Sequence, residues 1–213
     1  MKTPLEILQK YWKYDQFRTP QEAIINTVLE KKNAVVLLPT SGGKSICYQV
    51  PALISEGVCI VISPLIALIK DQVNSLIEKN IKAIALTSQL SQDEIVIAFD
   101  NLQFGGVKFL YLSPEKLQSN FIKEKIKQLN VSLIAIDEAH CISEWGHDFR
   151  PSYLELKILK ELQPQASIIA LTATATKKVL EDIQQHLELE DAVLYKNSFK
   201  RANLAFHIIK TED

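Results

Sequence analysis

The chain has 213 residues, long enough for one large domain or two small ones around a substantial core. At 47% hydrophobic and 23% charged residues, with only eight prolines and six glycines, its composition is that of a soluble globular protein and excludes fibrous or disordered classes. The net charge of −1 supplies no global attraction for a polyanion, so any nucleic-acid partner has to be gripped locally.

In chain order, short apolar runs without polar alternation recur at 34–38, 58–63, 81–86, 107–112, 132–136 and 167–171. Such runs suit strands covered on both faces, and therefore a parallel sheet between helices. The segments between them carry helix-start signals. Ser63-Pro64 and Ser113-Pro114 each follow a strand, with Ser expected as N-cap and Pro at the first helical position. Ser91 to Glu94 reads as a capping box, Gly105-Gly106 as the end of that helix, and Thr176 as the N-cap of a last helix. Two further strands are expected at 192–195 and 204–209. No linker, repeat or low-complexity tract interrupts this order, and the expected fold is one doubly wound α/β domain, mostly parallel, with helices on both faces.

Cys47, Cys59 and Cys141 are widely separated with no C-x-x-C pair, so neither zinc nor a disulfide framework is signalled. No apolar run approaches the ~20 residues of a membrane span, and the N-terminus has no signal-peptide core. The expectation is an intracellular protein without a membrane partner: cytoplasmic and nucleoid-associated if bacterial, nuclear if eukaryotic.

"LPTSGGKS" (38–45) follows an apolar run and precedes a helical pattern. A phosphate-binding loop needs backbone N–H groups in a glycine-rich turn, a lysine, and a hydroxyl for a metal ion at the helix start. Thr40, Ser41, Gly42, Gly43, Lys44 and Ser45 supply these in order. Leu38 stands where the usual pattern has its first glycine, but that position ends the strand, whereas Gly42 and Gly43 lie where the backbone passes closest to the phosphates. Ser41 is compatible only if its side chain points away from the ligand. "LIAIDEAH" ends a strand with Asp137 and Glu138, acids placed at the sheet edge where ligands bind in such folds. Asp137 is suited to holding Mg²⁺ through water, together with Ser45, and Glu138 to orienting or deprotonating an attacking water. The plainer alternative is an ordinary helix N-terminus and two solvated acids.

Together with "LTATAT" (171–176), these motifs resemble in order and spacing those of superfamily 2 helicases, whose motor domains are RecA-like P-loop domains. The intervening detail is similar to the RecQ family of DNA helicases: "YDQFRTPQ" (14–21), "SPLIALIKDQV" (63–73), "LYLSPEKL" (110–117), "DEAHCISEWGHDFRPSY" (137–153) and "SFKRANL" (198–204). The resemblance covers nearly the whole chain. It implies that Tyr14 stacks on adenine, Arg18 lies beside the nucleotide and Gln21 reads the base, with ATP and Mg²⁺ as cofactors. Ser63 and Ser113 would contact single-stranded DNA. Trp145 and Phe149, in an aromatic-rich loop, would meet the strand, with His140 and Arg150 relaying contact to the ATP site. Thr172 and Thr174 would hydrogen-bond the "DEAH" segment. Phe17 is expected as a core anchor rather than a ligand contact, and packing alone is the alternative for Phe149 and Tyr153, while Ile24, Ile25 and Val28 are expected to form the buried face of the next helix. His186 and His207 have no partners at ligand spacing.

By the same resemblance, residues 1–213 form the first of two motor domains, with 198–213 at the junction to a second that supplies an arginine finger. The implied activity is ATP-dependent, 3′ to 5′ unwinding of tailed duplex DNA, with little hydrolysis and no processive unwinding by this chain by itself. The competing readings are a DEAH-type RNA helicase domain and a nucleotide-gated binding module without catalysis.

Overall fold

The computed structural model describes residues 2–39, 42–87 and 89–196. The expected strand at 204–209, the stretch 198–213 with its "SFKRANL" motif and His207, and the loop residues Thr40 and Ser41 lie outside the described residues.

Among the described residues seven strands form one sheet: β1 (Ala34–Leu37), β2 (Val58–Ile62), β3 (Ala83–Leu86), β4 (Phe109–Leu112), β5 (Val131–Ile136), β6 (Ser167–Thr172) and β7 (Val193–Lys196). All pairings are parallel, in the order β3-β4-β2-β5-β6-β1-β7. β1, β2, β4 and β6 are buried at every position, as strands covered on both faces must be. The strands expected from 81 and 107 start two residues later, at Ala83 and Phe109.

The helices are α1 (Pro4–Trp12), α2 (Gln21–Leu29), α3 (Ile46–Ile54), α4 (Ile66–Glu78), α5 (Gln92–Phe104), α6 (Asn120–Lys127), α7 (Ile158–Leu162) and α8 (Lys177–His186). Alternate residues of each strand serve opposite cores. Val35, Ile60, Leu110 and Ile134 pack with α5, α6 and α8, whereas Val36, Val61, Tyr111 and Ala135 pack with α2, α3 and α4. Ile24, Ile25 and Val28 are the buried face of α2, as the pattern required, and Phe17 packs half-buried against a third cluster centred on Leu8, Ile25 and Val50.

The capping box at Ser91, the Gly105 end of α5 and the Thr176 N-cap of α8 all form. α1, which the strand-and-motif pattern passed over, is announced by the same chemistry: the Thr3 hydroxyl accepts the Glu6 N–H at 3.3 Å, and the Glu6 carboxylate accepts the Thr3 N–H at 2.8 Å.

Of the two Ser-Pro starts, Ser113-Pro114 holds in position and Ser63-Pro64 requires correction. α4 begins at Ile66 behind an extended Leu65, with no side-chain cap. The Ser63 N–H donates to Leu112 O at 3.2 Å, which holds Ser63 in the sheet and delays the helix. Ser63 is 2% exposed and its hydroxyl has no protein partner. Ser113 is the N-cap and Pro114 the first residue of a short 3₁₀ helix over Pro114–Gln118, without a side-chain capping bond, and α6 starts only at Asn120.

Candidate functional site

β6 runs between β1 and β5, so three segments distant in sequence leave the same sheet edge side by side: the glycine loop after β1, the acidic pair after β5 and the threonines after β6. This is the carboxyl edge where ligands bind in doubly wound folds.

Gly43 has φ +68°, and a Cβ there would collide with the Gln21 side-chain amide, so glycine is required for both conformation and space. That amide is engaged at both ends. Its Nε2 donates to Gly42 O at 3.2 Å and Gly43 O at 3.1 Å, while its Oε1 accepts the Arg18 N–H at 2.9 Å. Gln21, 2% exposed, thus clamps the segment 14–21 to the glycine loop. Above it opens a cleft of about 880 Å³ lined by Tyr14, Phe17, Arg18, Gln21, Gly43 and Ile46. Tyr14 is 49% exposed on its wall, free of core packing and open to a planar ligand. Ser45 caps α3 in position only; its hydroxyl makes no capping bond.

Lys44 Nζ lies 3.9 Å from Glu138 Oε1. Glu138 sits in the left-handed region at φ 49°, a strained conformation for this residue that recurs at functional sites. Its second oxygen is 3.3 Å from His140 Nδ1. The His140 bond, and then the Lys44 and His140 charges, outweigh burial and hold Glu138 below the usual carboxylate range. Asp137 behaves oppositely. Burial first, then repulsion from Glu138, push it up to about 6 against the pull of Lys44. Two adjacent acids are thereby driven apart, Glu138 held below and Asp137 raised above the ordinary carboxylate range.

The same ring nitrogen, His140 Nδ1, is also met by the end of β6. Thr172 Oγ1 lies 2.9 Å from His140 Nδ1 and accepts the Thr174 N–H at 3.2 Å. Thr172 therefore reaches the "DEAH" segment as expected, whereas Thr174 Oγ1 reaches His147 Nδ1, at 3.4 Å, in the following loop. His147 stacks on His140 with ring centroids 4.3 Å apart, a contact no spacing in the sequence revealed. Trp145 is 72% exposed. Phe149 is half-buried in a cleft of about 180 Å³ with Ile142, Trp145, Leu154 and His186. Arg150 donates from Nη1 to Pro64 O at 3.1 Å and from Nε and Nη2 to Asp148, joining the loop to the exit of β2, where Ser63 sits. Tyr153 is fully buried, and its hydroxyl donates to Asp137 O at 2.9 Å, so packing is its role. Ser113 lines a cleft of about 340 Å³ with Ile66, Leu86 and Lys116.

The donor set suits a magnesium nucleotide: a glycine turn too tight for a Cβ, a neighbouring ammonium, and a buried carboxylate that burial and a neighbouring acid push up in pKa. Among the described residues no helix is long and apolar enough to cross a membrane.

The sequence profile of the DEAD/DEAH box helicase family matches residues 18–183. The chain is 46% identical over 209 residues to the ATP-dependent DNA helicase RecQ of Bacillus subtilis, spanning 97% of this chain and 35% of that relative. It is 43% identical over 209 residues to the probable ATP-dependent DNA helicase RecS of the same organism, spanning 98% of this chain and 42% of that relative. The chain therefore spans well under half the length of these relatives. Among solved structures, the helicase MrfA bound to DNA and AMPPNP superposes with a TM-score of 0.71 at 20% identity, over 92% of this chain and 30% of that one, a likeness of fold.

Proposed function

The chain belongs to the DEAD/DEAH box helicase family, and from that premise we propose that it is the first RecA-like motor domain of a RecQ-type, ATP-dependent 3′ to 5′ DNA helicase. The observation that carries the reading is the continuous contact path from Lys44 through Glu138, His140 and His147 to the loop bearing the exposed Trp145. A phosphate site and an exposed aromatic surface are joined by groups able to change partners together.

In this reading Gly42, Gly43 and Lys44 hold the phosphates, with Thr40 and Ser41 completing the loop. Tyr14, Arg18 and Gln21 take the adenine, which requires the Gln21 amide to exchange at least one of its present bonds for the base edge. Ser45 and Asp137 would hold Mg²⁺, whose charge neutralises the phosphate oxygens when bound. Glu138, ionised and fixed by Lys44 and His140, orients the attacking water and accepts its proton. Trp145 and Phe149 stack on bases of a single strand, Ser63 and Ser113 lie on the strand's path, and Arg150 and His140 report occupancy to Glu138. Since the Ser63 hydroxyl is buried, its contribution requires the β2 exit to open, and its neighbour Pro64 is held by Arg150. A second RecA-like domain of the parent protein would close over the nucleotide and add an arginine finger, worth ~10³ to 10⁵ in rate. The isolated chain is thus expected to bind Mg-ATP and DNA with little turnover, in whichever compartment holds the DNA.

ATPase stimulated by DNA and by RNA, measured on this chain and on the full-length parent with Lys44→Ala as control, tests the reading. Stimulation of the parent by DNA, abolished in Lys44→Ala, supports it. Stimulation by RNA alone would make the domain an RNA helicase motor, and nucleotide binding without turnover in the parent would make it a gated binding module.

A further inference from the structure

The loop that presents Trp145 has a footing outside the path just described. The Ser143 hydroxyl, fully buried, donates to Asp182 Oδ2 at 2.6 Å, and Ser143 Oγ in turn accepts the Trp145 backbone N–H at 3.1 Å. Asp182 lies on α8 at 7% exposure, a rare place for an acid, and its other oxygen meets Lys178 Nζ at 3.1 Å. Burial raises its pKa, but the Ser143 hydroxyl and Lys178 outweigh this and leave it below the usual carboxylate range. The loop closes tightly over this point: the Gly146 N–H donates to Ser143 O at 2.9 Å, and a Cβ on Gly146 would stand 2.6 Å from His140 O.

A buried carboxylate, a hydroxyl and a backbone amide thus form a chain in which each bond polarises the next. α8 also continues directly from β6, whose end receives His140 at Thr172 and, through Thr174, His147. The loop is consequently tied to one unit, β6–α8, at three places, and Ser143 to Asp182 is the one nearest Trp145.

We propose that Asp182 is a positioning residue that holds the Trp145 loop, through Ser143, in the shape that engages a single strand. It touches neither nucleotide nor nucleic acid. The DNA part of this inference rests on the reading above that Trp145 meets a strand. Removing the carboxylate leaves a buried hydroxyl without its acceptor, and the loop, with its tryptophan in solvent, is the element free to rearrange in response.

The test uses the chain's two tryptophans, Trp12 and Trp145, with Trp12→Phe as the background so that Trp145 alone reports. Steady-state anisotropy of Trp145 is measured in the free protein, then its quenching by an oligothymidylate, with a fluorescent ATP analogue and Mg²⁺ as control. Asp182→Ala and Ser143→Ala should each lower the anisotropy and weaken oligonucleotide binding by about tenfold or more, the loss expected for a charge-assisted bond, with nucleotide affinity unchanged. Asp182→Asn, which keeps an acceptor for Ser143, should restore most of both. Lys178→Ala, which breaks only the bond to Oδ1, should change neither. Wild-type anisotropy in Asp182→Ala overturns the proposal, as does an equal effect from Lys178→Ala. If Asp182→Ala does not fold by circular dichroism, Ser143→Ala decides on the same two readouts. If the oligonucleotide leaves wild-type Trp145 unchanged, the DNA reading fails, and the anisotropies alone confirm or overturn the anchoring.

Discussion

Replacing Asp137 by Asn should stabilise the nucleotide-free protein at neutral pH while destroying its use of Mg-ATP. The Asp137 carboxyl is 6% exposed, and burial followed by repulsion from Glu138 raises it from 3.8 to about 6. A raised acid binds its proton more tightly in the folded state. Below 3.8 both states are protonated and the group costs nothing; as pH rises towards 6 the unfolded chain ionises first, and stability falls to a constant penalty above that. At about 1.4 kcal/mol per pH unit the full penalty is about 3 kcal/mol, and at pH 4.5 it is about 1 kcal/mol. Asparagine cannot ionise, yet its oxygen can still accept the Glu138 N–H that Asp137 Oδ1 accepts at 3.0 Å. Asp137→Asn should therefore melt roughly 6 to 12 °C above the wild type at pH 7.5 in the absence of Mg²⁺, and the gap should narrow to about a third of that at pH 4.5. Calorimetric or circular-dichroism melts across this range measure it directly. Adding Mg-nucleotide should raise the wild-type midpoint more than the variant's, which keeps the glycine loop and Lys44 but loses one of the two groups that would hold Mg²⁺. No gain at pH 7.5, or a gain that persists undiminished at pH 4.5, would refute the account of a buried acid waiting for a cation.

Lys44→Ala should reduce hydrolysis to background and, by removing the cation 3.9 Å from Glu138, move that carboxyl back towards its ordinary range; titration followed by NMR checks the second effect. Trp145→Ala should leave ATP binding intact and abolish DNA stimulation in the full-length parent, so undiminished stimulation there would separate the exposed indole from coupling. Gly43→Ala places a Cβ against the Gln21 amide at φ +68°, and should cost about 1 to 3 kcal/mol in urea unfolding as well as weakening nucleotide binding. Tyr153→Phe removes the donor to Asp137 O and should cost about 1 to 2 kcal/mol in the same assay, with the fold retained.

Much of the fold is legible in the sequence because its signals are local. Val35 and Val36 stand in an unalternated run because the strand is buried on both sides, and the side-chain period of two sends them to different cores. The Ser91 and Thr176 caps were legible because a hydroxyl reaching a backbone N–H three residues on depends on nearby atoms alone. Ser63 had the same local credentials and failed, because the hydrogen bond from its N–H to Leu112 O is a sheet contact made across 49 residues, and pairing overrode the cap.

The residue types at the site were likewise set by chemistry that short motifs can carry: glycines where a Cβ collides, a lysine, a pair of acids and a solvent-facing indole. What the acids do was decided by the tertiary structure. Asp137 and Glu138 are neighbours in the chain with similar intrinsic acidity, and only the burial of one beside the His140 and Lys44 contacts of the other drives their ionisation apart. The same holds for the stack of His147 on His140 and for the anchoring of Ser143 by Asp182, 39 residues away. The sequence by itself determined which groups were available and which strands were covered; the placing of β6 between β1 and β5, a choice of strand order that no local pattern encodes, brought those groups within a hydrogen bond of one another.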